Sequence, residues 1–374
     1  MTRKQKNQQQ HTQRQNDQPQ NTHPINNQGL NTQRPSAGER YYLGVDVGSV
    51  STNLVLLSEN GEVREAHYLR TQGRPLEMIQ KGLADLARRY ADEQIGGVGT
   101  TGSARSLASV VLGADVVKNE ITAHAVAAGQ LVPGVRTILE IGGQDSKLIL
   151  LRDGVVSDFA MNTVCAAGTG SFLDQQASRL QLPIEEFGGL AEQADHPVRI
   201  AGRCSVFAES DMIHKQQMGH ALPDIIAGLC EALVRNFLNN LGKGKTLEAP
   251  IVFQGGVAAN AGMKRAFEKA LDHPVVVPEH HKVMGAVGAA LLAREAVQRA
   301  SGLTRFKGFA MASEDVRAGS WECGDCPNLC EVIEIVESER PIARWGDRCG
   351  KWENSLSVIQ TERAAEAAAE LQQG

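Results

Sequence analysis

YYLGVDVGSVSTNLVLLSENGEV, Tyr41 to Val63, holds an apolar strand that runs into glycines, a second strand over Asn53 to Ser58, an Asn60-Gly61 turn and a third strand. The same order returns in TILEIGGQDSKLILLRDGVV, Thr137 to Val156. There a strand to Glu140 is followed by a Gly142-Gly143 turn, a strand over Lys147 to Leu151, an Asp153-Gly154 turn and another strand. Asn-Gly and Asp-Gly are strong hairpin signals because both central residues of a type I′ turn take positive φ. Two such units, about 94 residues apart, predict two similar lobes. Helical stretches such as Leu76 to Tyr90 and Leu222 to Leu241 complete the pattern, which predicts an α/β fold of mixed sheets covered by helices.

The chain has 374 residues, enough for two lobes with full cores, and 42 % of it is hydrophobic. A net charge of −5 gives no global basic field for nucleic acid, and no run of about 18 apolar residues predicts a membrane span. Seven cysteines without an apolar signal-peptide core argue for a cytoplasmic protein with thiolate chemistry, against a secreted disulfide scaffold. Residues 1–40 differ from the rest: 16 of these 40 are Gln or Asn and apolar residues are almost absent, so a disordered tail is expected. The remaining divisions are a first lobe at 41–136, a second lobe at 137–298 and a cysteine-containing extension at 315–374.

Each hairpin unit places backbone N–H groups and hydroxyls where phosphate oxygens could sit, with an acid close by: Asp46 in the first, Asp145 in the second. Glycines let the chain approach phosphates, and carboxylates can hold Mg²⁺ through water. A third glycine-rich element, FQGGVAANAGMKRAF (Phe253 to Phe267), again follows an apolar strand and opens a helix, and the small-residue stretch MGAVGAALLA (Met284 to Ala293) comes after it.

In this order the elements resemble the acetate kinase, sugar kinase, Hsp70 and actin superfamily, whose two lobes close on ATP. GVDVGSVST (Gly44 to Thr52) is similar to its first phosphate motif, EIGGQDSK (Glu140 to Lys147) to its second and FQGGVAAN (Phe253 to Asn260) to its adenosine motif. VGTTGS (Val98 to Ser103) and MGAVGAA (Met284 to Ala290) are similar to its connecting segments. The resemblance covers about residues 41–295 and implies an actin-like ATPase with ribonuclease H-like lobes. It implies that Asp46 and Asp145 organise Mg²⁺ and water and that Gln144 orients the attacking water. Gly48, Ser49, Ser51, Thr52, Gly102, Gly142, Gly143, Gly255, Gly256 and Asn260 would line the nucleotide. One position departs: Asn53 stands where such proteins commonly have Lys.

The stretch NTVCAAGTGSF (Asn162 to Phe172) looks like a phosphate loop but lacks the lysine of a Walker motif. MNTVCAAGTGSFLDQQASRL (Met161 to Leu180) and GRCSVFAESDMI (Gly202 to Ile213) closely resemble the activators of 2-hydroxyacyl-CoA dehydratases and the ATPase subunits of benzoyl-CoA reductases. That resemblance implies that Cys165 and Cys204 bind one [4Fe-4S] cluster between the subunits of a homodimer. Four thiolates are the usual set for a cubane, two per chain are present, and a twofold axis makes up the number. Both cysteines precede predicted helices, so an anionic cluster would lie among free N–H groups at helix starts. Cys230, at helical spacing with Ile226, Leu229, Leu233 and Phe237, reads as a core thiol.

Beyond the resemblance, WECGDCPNLCEV and GDRCGKW carry Cys323, Cys326, Cys330 and Cys349 in a spacing that suits Zn²⁺ or a further Fe–S cluster in a small appended lobe. Together these features imply an ATP-dependent electron-transfer activator. A ferredoxin or flavodoxin would be its donor, and a dehydratase-type or aryl-CoA reductase-type enzyme its acceptor. Two other readings are a small-molecule kinase, with Asp158 or Glu209 as base, and an ATP- or redox-sensing scaffold. No sugar-binding cluster is evident for the former.

Overall fold

The computed structural model describes residues 38–300 and 302–353. The predicted tail up to residue 37 and the Ala/Glu-rich terminus from residue 354 lie outside the described residues.

The first predicted unit forms β1 (Tyr41–Val47), β2 (Ser51–Ser58) and β3 (Val63–Arg70), paired antiparallel in sequence order. Helix α1 (Pro75–Ala87), β4 (Ile95–Thr101), α2 (Arg105–Leu112), β5 (Val116–Val117) and α3 (Glu120–Leu131) follow. Strands β4 and β5 run parallel to β1, giving a sheet ordered β3-β2-β1-β4-β5. The second unit repeats it. β6 (Thr137–Ile141), β7 (Ser146–Arg152) and β8 (Val155–Asn162) are antiparallel neighbours. Then come α4 (Gly170–Arg179), α5 (Ile184–Glu192), α6 (Ser205–Gln217), α7 (Leu222–Leu241), β9 (Ile251–Gln254), α8 (Ala261–Leu271), β10 (Val275–Val276) and α9 (Met284–Arg299). The second sheet is ordered β10-β9-β6-β7-β8, the same arrangement as the first. The two-lobed α/β fold expected from the sequence is therefore present. Its turns differ in detail: Asp153 and Gly154 both take positive φ, 52° and 77°, whereas in the longer loop before β3 only Gly61 does, at 86°.

Helices α3 and α9 lie between the sheets. One apolar cluster joins Val55 and Leu57 of the first sheet to Ile138, Ile149 and Val252 of the second through Ala127 and Ala290. The stretch read as a connecting segment can lie this close because the strands beneath it carry glycine. A Cβ on Gly44 would meet the Ala286 carbonyl at 1.9 Å, and one on Gly99 the Ala289 carbonyl at 2.1 Å. Although it follows the adenosine motif in sequence, α9 thus packs on the first lobe's sheet.

The extension forms an antiparallel sheet, β11 (Val316–Glu322), β12 (Glu331–Glu337) and β13 (Arg340–Trp345). It is not a detached lobe: Phe309, Met311, Val316 and Ile335 share a core with Leu43, Leu54 and Leu83. Gln80 Nε2 donates to the Glu314 carbonyl at 2.9 Å. Among the described residues no helix is long and apolar enough to cross a membrane.

Candidate functional site

Asp46 stands near the end of β1, in register with Asn53 on β2 and Thr101 on β4. Two glycines clear space for its carboxylate: a Cβ on Gly102 would come within 2.6 Å of Oδ1, and one on Gly285 within 2.2 Å of Oδ2. Burial, then the charges of Glu120 and Asp145, push Asp46 up to about 7 against the pull of Lys147. Glu140 holds the matching place on β6, in register with Lys147 and Gln254. Burial also pushes Glu140 up to about 7, with Lys147 opposing.

Lys147 is only 2 % exposed, and its Nζ lies 2.9 Å from Glu120, 3.0 Å from Glu140 and 2.9 Å from Asp145. Burial works against its charge, but the three carboxylates outweigh that and hold it above the usual lysine range. For Glu120, burial opposes ionisation, and the Lys147 ion pair wins and holds it below the carboxylate range. Because Glu120 opens α3, this pair ties the helix between the sheets to the second lobe. Behind it, His124 Nδ1 lies 2.8 Å from Gln254 Nε2. Burial, reinforced by Lys147, lowers His124 to about 3, so the ring is neutral and its Nδ1 accepts.

The two candidate phosphate loops meet. Gly48 N–H donates to the Ser51 carbonyl at 2.9 Å and closes the first; Gly142 N–H donates to the Asp145 carbonyl at 3.0 Å and closes the second. A Cβ on Gly143 would lie 2.7 Å from Val50 Cγ2, so the tips of the two loops touch. Thr52 and Thr71 hydroxyls are 3.0 Å apart, and Thr71 Oγ1 donates to the Gly48 carbonyl. Ser49, Gln144 and Gly256 are exposed and Ser51 half-buried. Gly255, at φ 92°, abuts β6, where a Cβ would meet the Ile141 carbonyl at 2.3 Å. Asn260 faces its own helix: Oδ1 accepts from Met263 N–H at 3.1 Å and caps α8, while Nδ2 is buried without a partner. Buried Thr101 Oγ1 and Ser146 Oγ also have no partner, beside Asp46 and Asp145 respectively.

Cys165 caps a short 3-10 turn, Ala166–Gly168, and Cys204 caps α6; both have extended backbone and neither side chain accepts a capping bond. The first turn of α4 is tied to the second loop, with Gly170 N–H donating to Gly142 O at 2.9 Å and Ser171 N–H to Gly143 O at 2.8 Å. Asn162 clamps the cysteine, donating to Cys165 O at 2.8 Å and accepting from its N–H at 3.0 Å. Asn236 on α7 serves both thiol segments. Its Nδ2 donates to Gly202 O at 2.6 Å, and its Oδ1 would be 2.8 Å from a Cβ on Gly168. Apolar side chains stand exposed beside each thiol, Val164 at 96 % and Phe207 at 67 %.

Cys230 is a core thiol, fully buried and pushed up to about 12 by burial. The C-terminal thiols sit on the separate sheet, where Cys323 N–H pairs with Cys330 O at 2.8 Å and Trp352 Nε1 donates to Cys323 Sγ at 3.2 Å. Among the described residues no group of three or more His, Cys, Asp or Glu is gathered to hold a metal ion. The two acids of the kinase reading are engaged at the surface, Asp158 by Lys245 and Glu209 by Arg179 at 2.8 Å.

The sequence reading did not single out Val50, Thr101, Glu120, His124, Asn162, Asn236 or Gln254, nor Lys147 as a site residue. A charged residue inside an apolar strand was the one available signal, at Lys147. Contacts between distant segments place the others.

The model of the BadF/BadG/BcrA/BcrD ATPase family matches residues 43–293. The 2-hydroxyisocaproyl-CoA dehydratase activator of Clostridioides difficile is 35 % identical over 260 residues, covering 68 % of this chain and 94 % of that protein. The activator of lactoyl-CoA dehydratase of Anaerotignum propionicum is 37 % identical over 263 residues, 69 % and 99 % of the two chains. A solved structure of the Clostridium difficile 2-hydroxyisocaproyl-CoA dehydratase activator with bound ADPNP matches with a TM-score of 0.64 at 31 % identity, covering 70 % of this chain and 98 % of that one.

Proposed function

Because the chain belongs to the BadF/BadG/BcrA/BcrD ATPase family, we propose that it is an ATP-dependent activator whose partner is a 2-hydroxyacyl-CoA dehydratase-type or aryl-CoA reductase-type enzyme. Relatives named as dehydratase activators, and a 28 % identical component of the benzoyl-CoA reductase of Thauera aromatica, support this class of partner. In this reading ATP lies in the cleft, cradled by the loops at 48–51 and 142–145. Asp46 and Asp145 hold Mg²⁺ through water, and Gln144 orients the attacking water.

Cys165 and Cys204 fit one [4Fe-4S] cluster shared by two copies of the chain. Cys204 stands at the start of α6 and Cys165 at a short turn before α4, and small residues flank Cys165. When bound, such a cluster supplies a one-electron carrier of low potential, loaded by ferredoxin or flavodoxin in the cytoplasm. Exposed Val164, Val206 and Phe207 suit burial in the homodimer. Among the described residues the C-terminal thiols are not gathered with other His, Cys, Asp or Glu side chains into a group of three or more.

The carrying observation is the pair of hydrogen bonds from Gly170 and Ser171 to the Gly142 and Gly143 carbonyls. They place the second loop and the first turn after Cys165 in one piece, so a shift of the loop on hydrolysis moves the thiol segment with it. ATP drives the change only through its different affinity for the two arrangements. The test is iron analysis of anaerobically purified protein. About four iron atoms per dimer are expected in the parent. Cys165→Ser and Cys204→Ser should each lose them while still binding ATP. Full iron retention in both variants would overturn the cluster assignment.

A further inference from the structure

Between β10 and α9 the chain leaves the second lobe through residues 277–283, and His281 in this stretch holds Gly255 by both polar groups of its backbone. Gly255 N–H donates to the His281 carbonyl at 2.8 Å, and His281 Nδ1 lies 2.9 Å from the Gly255 carbonyl. A carbonyl can only accept, so Nδ1 carries the ring proton. Burial holds His281 below the usual histidine range, against the bond to Gly255, and leaves the ring neutral. Ala258 N–H reaches the same carbonyl at a longer 3.3 Å.

Gly255 needs such a hold. It takes φ 92° and ψ 177°, a conformation open essentially to glycine alone, and glycine loses the most backbone freedom on folding. Its peptide plane sets the place of exposed Gly256, which opens the turn leading to α8. In the first lobe the matching glycine, Gly102 at φ 93°, has its carbonyl held at 3.0 Å by Arg105 Nη1, from three residues on. The second lobe takes its donor from 26 residues away. That donor lies in the stretch that carries the chain across to the first lobe. Val283 N–H donates to the His280 carbonyl at 2.9 Å, α9 starts at Met284, and Gly285 abuts the Asp46 carboxylate. His281 thus ties the candidate adenosine loop to the helix that borders Asp46.

We propose that His281 is a positioning residue for nucleotide binding, holding the Gly255 peptide so that Gly256 meets the adenosine half of ATP in fixed register with Asp46. The nucleotide half of this assignment rests on the activator reading; the clamp on Gly255 does not. His281 touches no reacting atom, so its loss should appear in binding before turnover.

The test compares His281→Phe, which keeps a ring and loses the donor, with His281→Asn, whose amide N–H can take the place of Nδ1. In steady-state ATP hydrolysis by the full-length protein, the Phe variant should raise KM for ATP about fivefold or more with kcat within about twofold of the parent, and the Asn variant should recover most of that loss. Amide exchange without nucleotide should quicken at Gly255 and its neighbours in the Phe variant and not in the Asn variant, with β6 unchanged in both. Unchanged exchange in the Phe variant, or equal losses in the two variants, would overturn the clamp. Faster exchange with an unchanged KM, in a protein that still hydrolyses ATP, would overturn the positioning role and leave the activator reading standing. A parent that hydrolyses no ATP would sink the activator reading, and this role with it, even where the exchange data bear out the clamp.

Discussion

The two lobes match residue for residue around their central acids, yet only one acid has a cation of its own. In the first, Asp46 faces Asn53 and Thr101 and is followed across the sheet by Gly102 at φ 93°. In the second, Glu140 faces Lys147 and Gln254, and Gly255 follows at φ 92°. Burial pushes both acids up to about 7. The second is braced by a lysine that also holds Glu120 and Asp145. The first has a neutral Asn53 opposite it, with a buried, partnerless Oδ1. One lobe therefore fills the position with an ion pair, and the other sets a neutral side chain opposite its acid.

The crossovers differ in the same sense. Between β3 and β4 the chain makes one helix of 13 residues, packed into the core. Between β8 and β9 it makes four helices and leaves both thiols half-buried.

Lys147→Met strikes hardest at this asymmetry. It leaves three carboxylates around a cavity with no cation, and removing one partner of a buried ion pair costs about 3–5 kcal/mol. Urea unfolding should show a loss of that size, whereas Asn53→Ala, at the matching position, should cost about 1 kcal/mol. Equal losses would mean that the lobes are braced alike.

The next comparison is Asp46→Asn against Glu140→Gln. If Asp46 organises metal and water, the first should cut Mg²⁺-dependent ATP hydrolysis by about 100-fold or more, and the second should lose much less. Stability should follow the opposite course. An acid with a raised folded pKa keeps a proton that the unfolded chain releases between about pH 4 and 7. Its contribution to stability therefore falls as pH rises through that window. Asp46→Asn removes that fall, so the variant should gain thermal stability relative to the parent at pH 8 and not at pH 4. A parallel pair of melting-temperature profiles would refute the raised pKa.

The strands, their turns and the lobe repeat were legible because hydrophobic runs and Asp-Gly or Asn-Gly pairs act over a few residues. Helix Leu222–Leu241 was read to its ends. The site was legible only where glycines and cysteines cluster locally. The sequence reading paired Asp46 with Asp145, since both lie near glycines, and register makes Glu140 its true counterpart. Glu120 and Asn236 act on partners 27 and 34 residues away, at Lys147 and Gly202, and no local pattern announces that. For the same reason the extension reads as an appended lobe, while Val316 and Ile335 sit in the first lobe's core.

Asn236→Ala tests the longer crossover. It leaves the Gly202 carbonyl unpartnered and frees the Gly168 turn, a cost of about 2 kcal/mol. Faster amide exchange should be confined to the segments around Cys165 and Cys204, with the first lobe's α1 unchanged. Uniform acceleration would mean that the crossover is not an independent unit.

The smallest effect expected is also the most direct test of the asymmetry. Asn53→Lys gives the first lobe the partner that the second already has. The site is 4 % exposed, and a lysine in the matching position of the other lobe fits beside its acid. The new ammonium would stabilise the Asp46 carboxylate and draw its pKa down from about 7. If ionised Asp46 organises the metal, the acidic limb of the ATPase pH profile should move to lower pH by about one unit, with the alkaline limb unchanged. The maximum rate should fall modestly, because a carboxylate paired to lysine binds Mg²⁺ less well. A limb that stays in place while the melting profile shifts would mean that Asp46 titrates but does not govern hydrolysis, and the open acid of the first lobe would need another role.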